Sequence, residues 1–173
     1  PLFREHVQRA HINATFDTDG VVRSNWLQIN TPEGIFPSMG LAMAQLGGYN
    51  VDKYIDLPLM DGRPKSELLI RWSAKEFDFE TIPFVSVING KVPVEAFKDR
   101  LVLVGYVAPG SDEGITPIEK HMHMVYAHAN ILNQILKQEV ITQTNKLVEL
   151  GLTVLIALLF GLITWRLKAT SSA

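Results

Sequence analysis

Between Leu150 and Trp165 the chain carries no charged residue. With residues 147–149 and 166–167 added, the run reaches the ~20 residues needed to cross a bilayer. Glu149 and Arg166 stand at its two ends; Arg166 can extend its guanidinium to the headgroups, and Trp165 suits the interface. Apolarity on all sides over this length argues for a membrane span at residues 147–167 rather than a buried core helix. Thr153, Ala157 and Gly161 recur every four residues. They read either as a ridge for a second helix or as the small residues that membrane helices commonly hold.

Upstream the pattern changes to short mixed elements. Residues 12–16 and 21–29 are apolar-rich and flank Asp17-Thr18-Asp19-Gly20, which predicts a β-hairpin. Pro37-Ser38-Met39 opens a helical pattern with Met39, Met43 and Leu46 on one face, and Gly47-Gly48 stop it. Asp61-Gly62-Arg63-Pro64 predicts a turn and residues 68–72 a buried strand; residues 82–88 fit a short helix or a strand, and 93–98 one or two helical turns. Leu101-Val102-Leu103-Val104 is the clearest strand, an apolar run typical of a sheet centre. A loop of about sixteen residues, 109–124, follows, of a length that is usually functional or mobile. Residues 125–137 predict an amphipathic helix. Its stripe is Val125, Ala129, Leu132, Ile135 and Leu136, and its wet face Asn130, Asn133, Gln134 and Lys137. Polar residues 142–146 supply N-caps for the membrane helix. The fold class expected is α/β: a mixed sheet with flanking helices, then one C-terminal transmembrane helix. Residues 1–140 form the water-exposed domain, 141–146 a linker, 147–167 the span and 168–173 its far flank.

Composition narrows the function. The 173 residues suit one domain plus an anchor, and 47% apolar residues allow a sizeable core. A net charge of -2 argues against nucleic-acid binding. Having no cysteine, the chain has no disulfide, thiol nucleophile or cysteine metal site. It begins at Pro1 without a signal-peptide pattern, so a piece of a longer protein is expected. Lys137 and Lys146 on one flank of the span balance Arg166 and Lys168 on the other, so charge does not set the orientation.

Candidate chemistry concentrates around the long loop. Gly105 and Gly110 follow a predicted strand at the spacing of a phosphate loop. The lysine is missing, however, and Ser111-Asp112-Glu113 would repel phosphate. His121, His123 and His128 lie near Asp112, Glu113 and Glu119, a set that could bind zinc. The stronger reading puts His128 on the apolar stripe as a buried, hydrogen-bonded histidine and leaves His121 and His123 as loop residues. The metal expectation is therefore none, with His121, His123 and His128 as the ligands if one binds. Asp17-x-Asp19-Gly20 opens like a calcium loop, but lacks the downstream ligands and reads as a turn. No cofactor motif is present.

Several stretches together resemble the second type of CHASE domain, a sensing module associated with cyclases and histidine kinases. They are residues 16–23 (Phe-Asp-Thr-Asp-Gly-Val-Val-Arg), 38–42, 97–105, Ala108-Pro109-Gly110 leading through Asp112 to Thr116-Pro117, and His128-Ala129-Asn130 with Ile131, Leu132, Asn133 and Leu136. They appear in the family's order across most of residues 10–140. Tyr106 and Val107, and the His121-Met122-His123-Met124 run, depart from the family's pattern. The resemblance implies an extracytoplasmic sensor of a bacterial membrane receptor, with a cytoplasmic cyclase or kinase output outside this chain. It also implies that residues 1–146 face outward and that the chain itself is no enzyme. Its implied partners are the membrane, an extracytoplasmic ligand or protein, and a second copy of the chain. Asp112, Thr116, His128 and Asn130 are the expected ligand-site residues; Asp17, Asp19, Gly20, Gly105 and Pro117 are the structural motif. A metal-dependent tethered enzyme, a pure interaction module, and a tail-anchored cytosolic protein with the reverse topology are the rival readings.

Overall fold

A computed structural model describes the backbone of residues 7–55, 67–142 and 144–170, with side chains as far as Leu167. The turn expected at Asp61-Gly62-Arg63-Pro64 lies outside the described residues. Helices mix with small antiparallel sheets, and a long C-terminal helix follows.

The turn expected at Asp17–Gly20 forms, but of the expected hairpin only one isolated antiparallel bridge, Thr15 to Ser24, joins its two sides among the described residues, and residues 12–16 are not a strand. Gly20 takes φ +77, the left-handed region in which glycine carries no Cβ penalty. Its N–H donates to Asp17 O at 2.9 Å, and Asp17 N donates to Val21 O at 3.0 Å. Arg23 closes the turn from the side, reaching Asp17 Oδ2 at 2.8 Å and Asp19 Oδ2 at 2.7 Å. That contact holds the Asp19 carboxyl down at about 2. Both carboxylates therefore spend their charge on a guanidinium, which supports the turn reading over the calcium loop.

β1 (Ser24–Trp26) pairs antiparallel with β4 (Glu67–Leu69). β2 (Gln28–Thr31) turns back through Pro32-Glu33 into β3 (Gly34–Pro37). This hairpin was not expected, although Thr31-Pro32-Glu33-Gly34 between Ile29 and Ile35 is a turn signal in the sequence. α1 (Met39–Leu46) starts on Ser38, whose side chain accepts from Leu41 N, and ends at Gly47. The face it buries is Gly40, Leu41 and Ala44, whereas Leu46 of the expected stripe is 71% exposed. The reason is α4 (Val125–Leu136), which packs so closely that small residues must meet it. α2 (Asp52–Ile55) buries Tyr54. Residues 82–88 resolve as a short helix, α3 (Phe84–Ile88), and a 3₁₀ turn runs from Val94 to Phe97.

Residues 101–104, expected as the central strand, pair with no strand among the described residues and are largely exposed. Their neighbours are helix ends. Leu101 Cδ2 lies 3.2 Å from where a Cβ on Gly47 would stand, and Gly105 is pressed against Val125. The run thus touches the end of α1 through Leu101 and is followed by Gly105 at the start of α4, with no strand paired to it among the described residues. The long loop likewise contains structure, the short strands β5 (Glu113–Gly114) and β6 (Met122–His123). The core lies between these pieces: Val22, Leu27, Leu41, Tyr54, Leu68, Met122, Ile131 and Ile135 are fully buried.

α5 (Lys146–Thr170) follows. Asn145 caps it, its Oδ1 accepting from Leu147 N at 2.8 Å. Within Lys146–Leu167 an 18-residue stretch has a mean hydropathy of 2.4, and none of that stretch is buried in the domain. An apolar helix of this length with no protein cover is not a core helix; its length and composition fit a bilayer span.

Candidate functional site

The expected ligand-binding region is organised by the β5–β6 hairpin. Val22 N donates to Ile115 O at 2.8 Å, which docks the hairpin beside the Asp17–Gly20 turn. Between them lies an open cleft of about 240 Å³ lined by Phe16, Gly20, Glu113, Ile115, Lys120 and His121. Within the hairpin loop Thr116 is buried, and its hydroxyl both donates to Glu119 O and accepts from Glu119 N, each at 3.0 Å. Pro117 sits inside this closed turn. The Thr116 hydroxyl is therefore a turn lock.

His123 is the hub of the region. Its Nδ1 lies 2.7 Å from Glu76 Oε1 and its Nε2 3.1 Å from Ala108 O, with Glu113 Oε1 at 3.7 Å from the same nitrogen. One side chain thus joins the 3₁₀ turn Glu76–Asp78, the segment after Gly105, and both strands of the hairpin. Desolvation lowers its pKa, but the Ala108 carbonyl and the Glu76 and Glu113 carboxylates outweigh it, and the net shift is upward. Glu113 Oε1 also accepts from Gly110 N at 3.0 Å. The backbone donor a phosphate would need is taken by a carboxylate of the chain itself.

His121 is elsewhere, 82% exposed and 3.5 Å from Glu113 Oε2. His128 is buried on α4. Among the described residues no three His, Asp or Glu side chains are placed to hold a metal ion together.

His128 has company that the sequence pattern hid. His11 belongs to the strand-like arm that bridges Ser38, and it too is buried. Neither nitrogen of His11 nor Nδ1 of His128 meets a hydrogen-bond partner among the described residues. Burial pushes both pKa values down, partly opposed at His11 by the Trp26 backbone and at His128 by the Ile12 backbone and Asp112; His11 also lowers His128. The unfolded chain takes up protons at these rings near 6.5, before the fold does. Stability contributed by the neutral rings is present above about 6.5 and is lost as pH falls through the depressed folded values. The contribution of these two rings to the melting temperature should therefore shrink between pH 7.5 and 5.5, read as the difference in slope between wild type and His128→Leu across that window, since His123 acts in the opposite sense. An unchanged slope in the variant would remove His128 from the account.

Asn130, placed on the wet face by its polarity, is fully buried. Its Oδ1 accepts from Ser73 N and Ala74 N, both at 3.1 Å, and its Nδ2 donates to Ala74 O and Tyr126 O, both at 3.0 Å. One turn on, Gln134 accepts from Arg71 N at 2.8 Å and donates to Leu69 O at 3.0 Å. These two amides satisfy the backbone of residues 69–74 in place of a neighbouring strand. Asp112 is exposed and holds Met124 N through its carbonyl at 2.9 Å, just before α4 begins. Of the four expected residues, Asp112 and Thr116 lie in the hairpin region, whereas His128 and Asn130 lie inside, on α4. Sequence reasoning missed Glu76, His11 and Gln134. Only Gln134 carried a signal, an amide four residues after Asn130.

The far end of α4 is tied down as well. Tyr54 Oη donates to Glu139 O at 2.9 Å, Lys53 reaches Gln138 O, and Arg71 pairs with Glu139 at 3.3 Å. Burial first, and the Glu139 charge second, push the Tyr54 hydroxyl up to about 12. Only residues 140–145 then separate this anchor from α5.

No curated protein and no solved structure matches the chain. A family profile described as "CHASE2 domain" matches residues 4–163, most of the chain. The ordered motifs, the mixed α and β elements, the closing helix and the apolar α5 agree with that match, and the chain belongs to the CHASE2 family of extracytoplasmic sensory domains.

Proposed function

We propose that this chain is the outward-facing sensory part of a bacterial transmembrane receptor, and that it passes a stimulus through α4 and α5 to a cytoplasmic cyclase or kinase. The observation that carries the reading is the path itself. α4 is fixed to the backbone of residues 69–74 by Asn130 and Gln134, anchored just past its end by Tyr54 on Glu139, and joined to α5 by the nine residues 137–145. A stimulus that binds two arrangements of the hairpin region with different affinity would shift α4 and hence the membrane helix. Asp112 and Thr116 shape the outer part of that region, while His128 and Asn130 set the position of α4 beneath it. Two copies of the chain pair in the membrane along Thr153, Ala157 and Gly161.

Topology tests this reading. Because the chain has no cysteine of its own, single cysteines report location cleanly. With Lys91→Cys and Ala173→Cys, a membrane-impermeant maleimide applied to whole cells should label the first and reach the second only after lysis. The reverse pattern would put the domain in the cytoplasm and leave a tail-anchored interaction module as the reading.

A further inference from the structure

Both ring nitrogens of His123 face oxygen acceptors within hydrogen-bond distance, the Glu76 carboxylate and the Ala108 carbonyl. A neutral imidazole has one N–H donor and one lone pair, so it can satisfy only one of these oxygens. Its second nitrogen would then set a lone pair against an oxygen. Only the imidazolium donates to both. The carboxylates repeat the preference: Glu76 and Glu113 both face the ring, and together with the Ala108 carbonyl they outweigh the cost of burying a side chain that is only 13% exposed. The other titratable groups here lie one step further out. His121 sits on the second oxygen of Glu113, and Glu119 Oε2 accepts from Glu76 N at 3.0 Å.

We infer that His123 is a proton-operated latch, whose imidazolium ties the segment after Gly105 and the turn at Glu76 to the start of α4, and whose deprotonation releases the Ala108 side. The Glu76 contact is the one retained, because a hydrogen bond to a carboxylate is the stronger of the two. The released segment is the one that bears on the helix. Gly105 packs so tightly on Val125, the first residue of α4, that a Cβ would stand 2.6 Å from Val125 Cβ. His123 itself is two residues from that start. The latch deepens the sensor reading and rests on it for its use, because it makes proton activity outside the membrane a stimulus. The sign follows from the upward shift of the ring. The stabilisation is complete below the unfolded value of about 6.5 and is lost as pH rises through the raised folded value.

The test uses the full chain in lipid nanodiscs. Imidazole nitrogen NMR follows the titration of His123, and hydrogen exchange, corrected for intrinsic rates, follows the amides of Gly110, Ser111 and Met124. These three N–H groups donate to Glu113, to Ala108 O and to Asp112 O. His123 should stay doubly protonated beyond pH 6.5, and protection at the three amides should fall as it deprotonates. The overall fall is about tenfold for each unit by which the fold raises the ring's pKa. His123→Gln, which cannot titrate, should make that protection independent of pH. Glu76→Gln, which keeps the histidine, should lower the pKa of the ring. A wild-type His123 that titrates at or below 6.5, or a His123→Gln chain with the wild-type pH dependence, would overturn the latch. The measurement is made without reference to membrane sidedness. Its failure would leave the topology result standing, and a cytoplasmic domain would leave the titration as measured.

Discussion

Gly40→Val should destabilise the domain by about 3 kcal/mol, read as a lower denaturation midpoint of the whole chain in detergent. Gly40 stands where α1 meets α4. A Cβ there would lie 2.9 Å from Ile131 Cγ2, 3.1 Å from Leu132 N and 3.2 Å from His128 O. Two of these three atoms are backbone of a helix held at both ends, so they do not move aside without moving α4. Gly40→Ala separates the terms. Alanine gains about 1 kcal/mol of helix propensity over glycine, which offsets part of the crowding, so its net loss should be smaller. Valine adds two methyl groups in the same gap and brings a weaker propensity. A valine variant as stable as wild type would mean that the two helices do not approach as described.

Asn130→Ala should cost about 3 kcal/mol as well, by a different route. The substitution creates little void but strands the N–H groups of Ser73 and Ala74 and the carbonyl of Ala74 that Asn130 now satisfies. Unpaired buried backbone groups cost ~1–3 kcal/mol each, reduced here because residues 73–74 are partly open to water. Asn130→Asp is not a rescue. It keeps the acceptor for Ser73 and Ala74, loses the donor for Ala74 O and Tyr126 O, and buries a charge. Gln134→Ala strands fewer groups and should cost less. Wild-type stability in Asn130→Ala would show that α4 is not clamped by its amides.

The same residue shows what the sequence conceals. Polar side chains on an amphipathic helix normally face water, and the pattern puts Asn130 and Gln134 there. In the fold they face a stretch of backbone, residues 69–74, that has no strand among the described residues on the side turned to α4, and that need is set by residues roughly sixty positions away. The run at residues 101–104 misleads for a related reason. Its apolarity announces contact with other apolar groups, not whether those groups belong to strands or helix ends. The short turns and α1's boundaries were legible because glycines, Ser38 and Asp17-Thr18-Asp19-Gly20 act over three or four residues. The C-terminal helix was legible because its apolarity runs on every side over a length that fits a bilayer span. The site was legible only in part. His123 could be seen as a loop histidine, but its carboxylate partner Glu76 is forty-seven residues away and belongs to no motif.

Central to the sensor reading is that α4 carries the state of the domain into α5. Spin labels on Lys91→Cys and Leu147→Cys, placed in the cysteine-free chain in nanodiscs, allow the distance between domain and membrane helix to be measured by double electron–electron resonance. A narrow distance distribution that broadens in Asn130→Ala is the expected result, since the anchored helix then holds α5 in a defined position. A distribution equally broad in both chains would mean that residues 140–145 act as a free hinge and that α4 transmits nothing to the membrane.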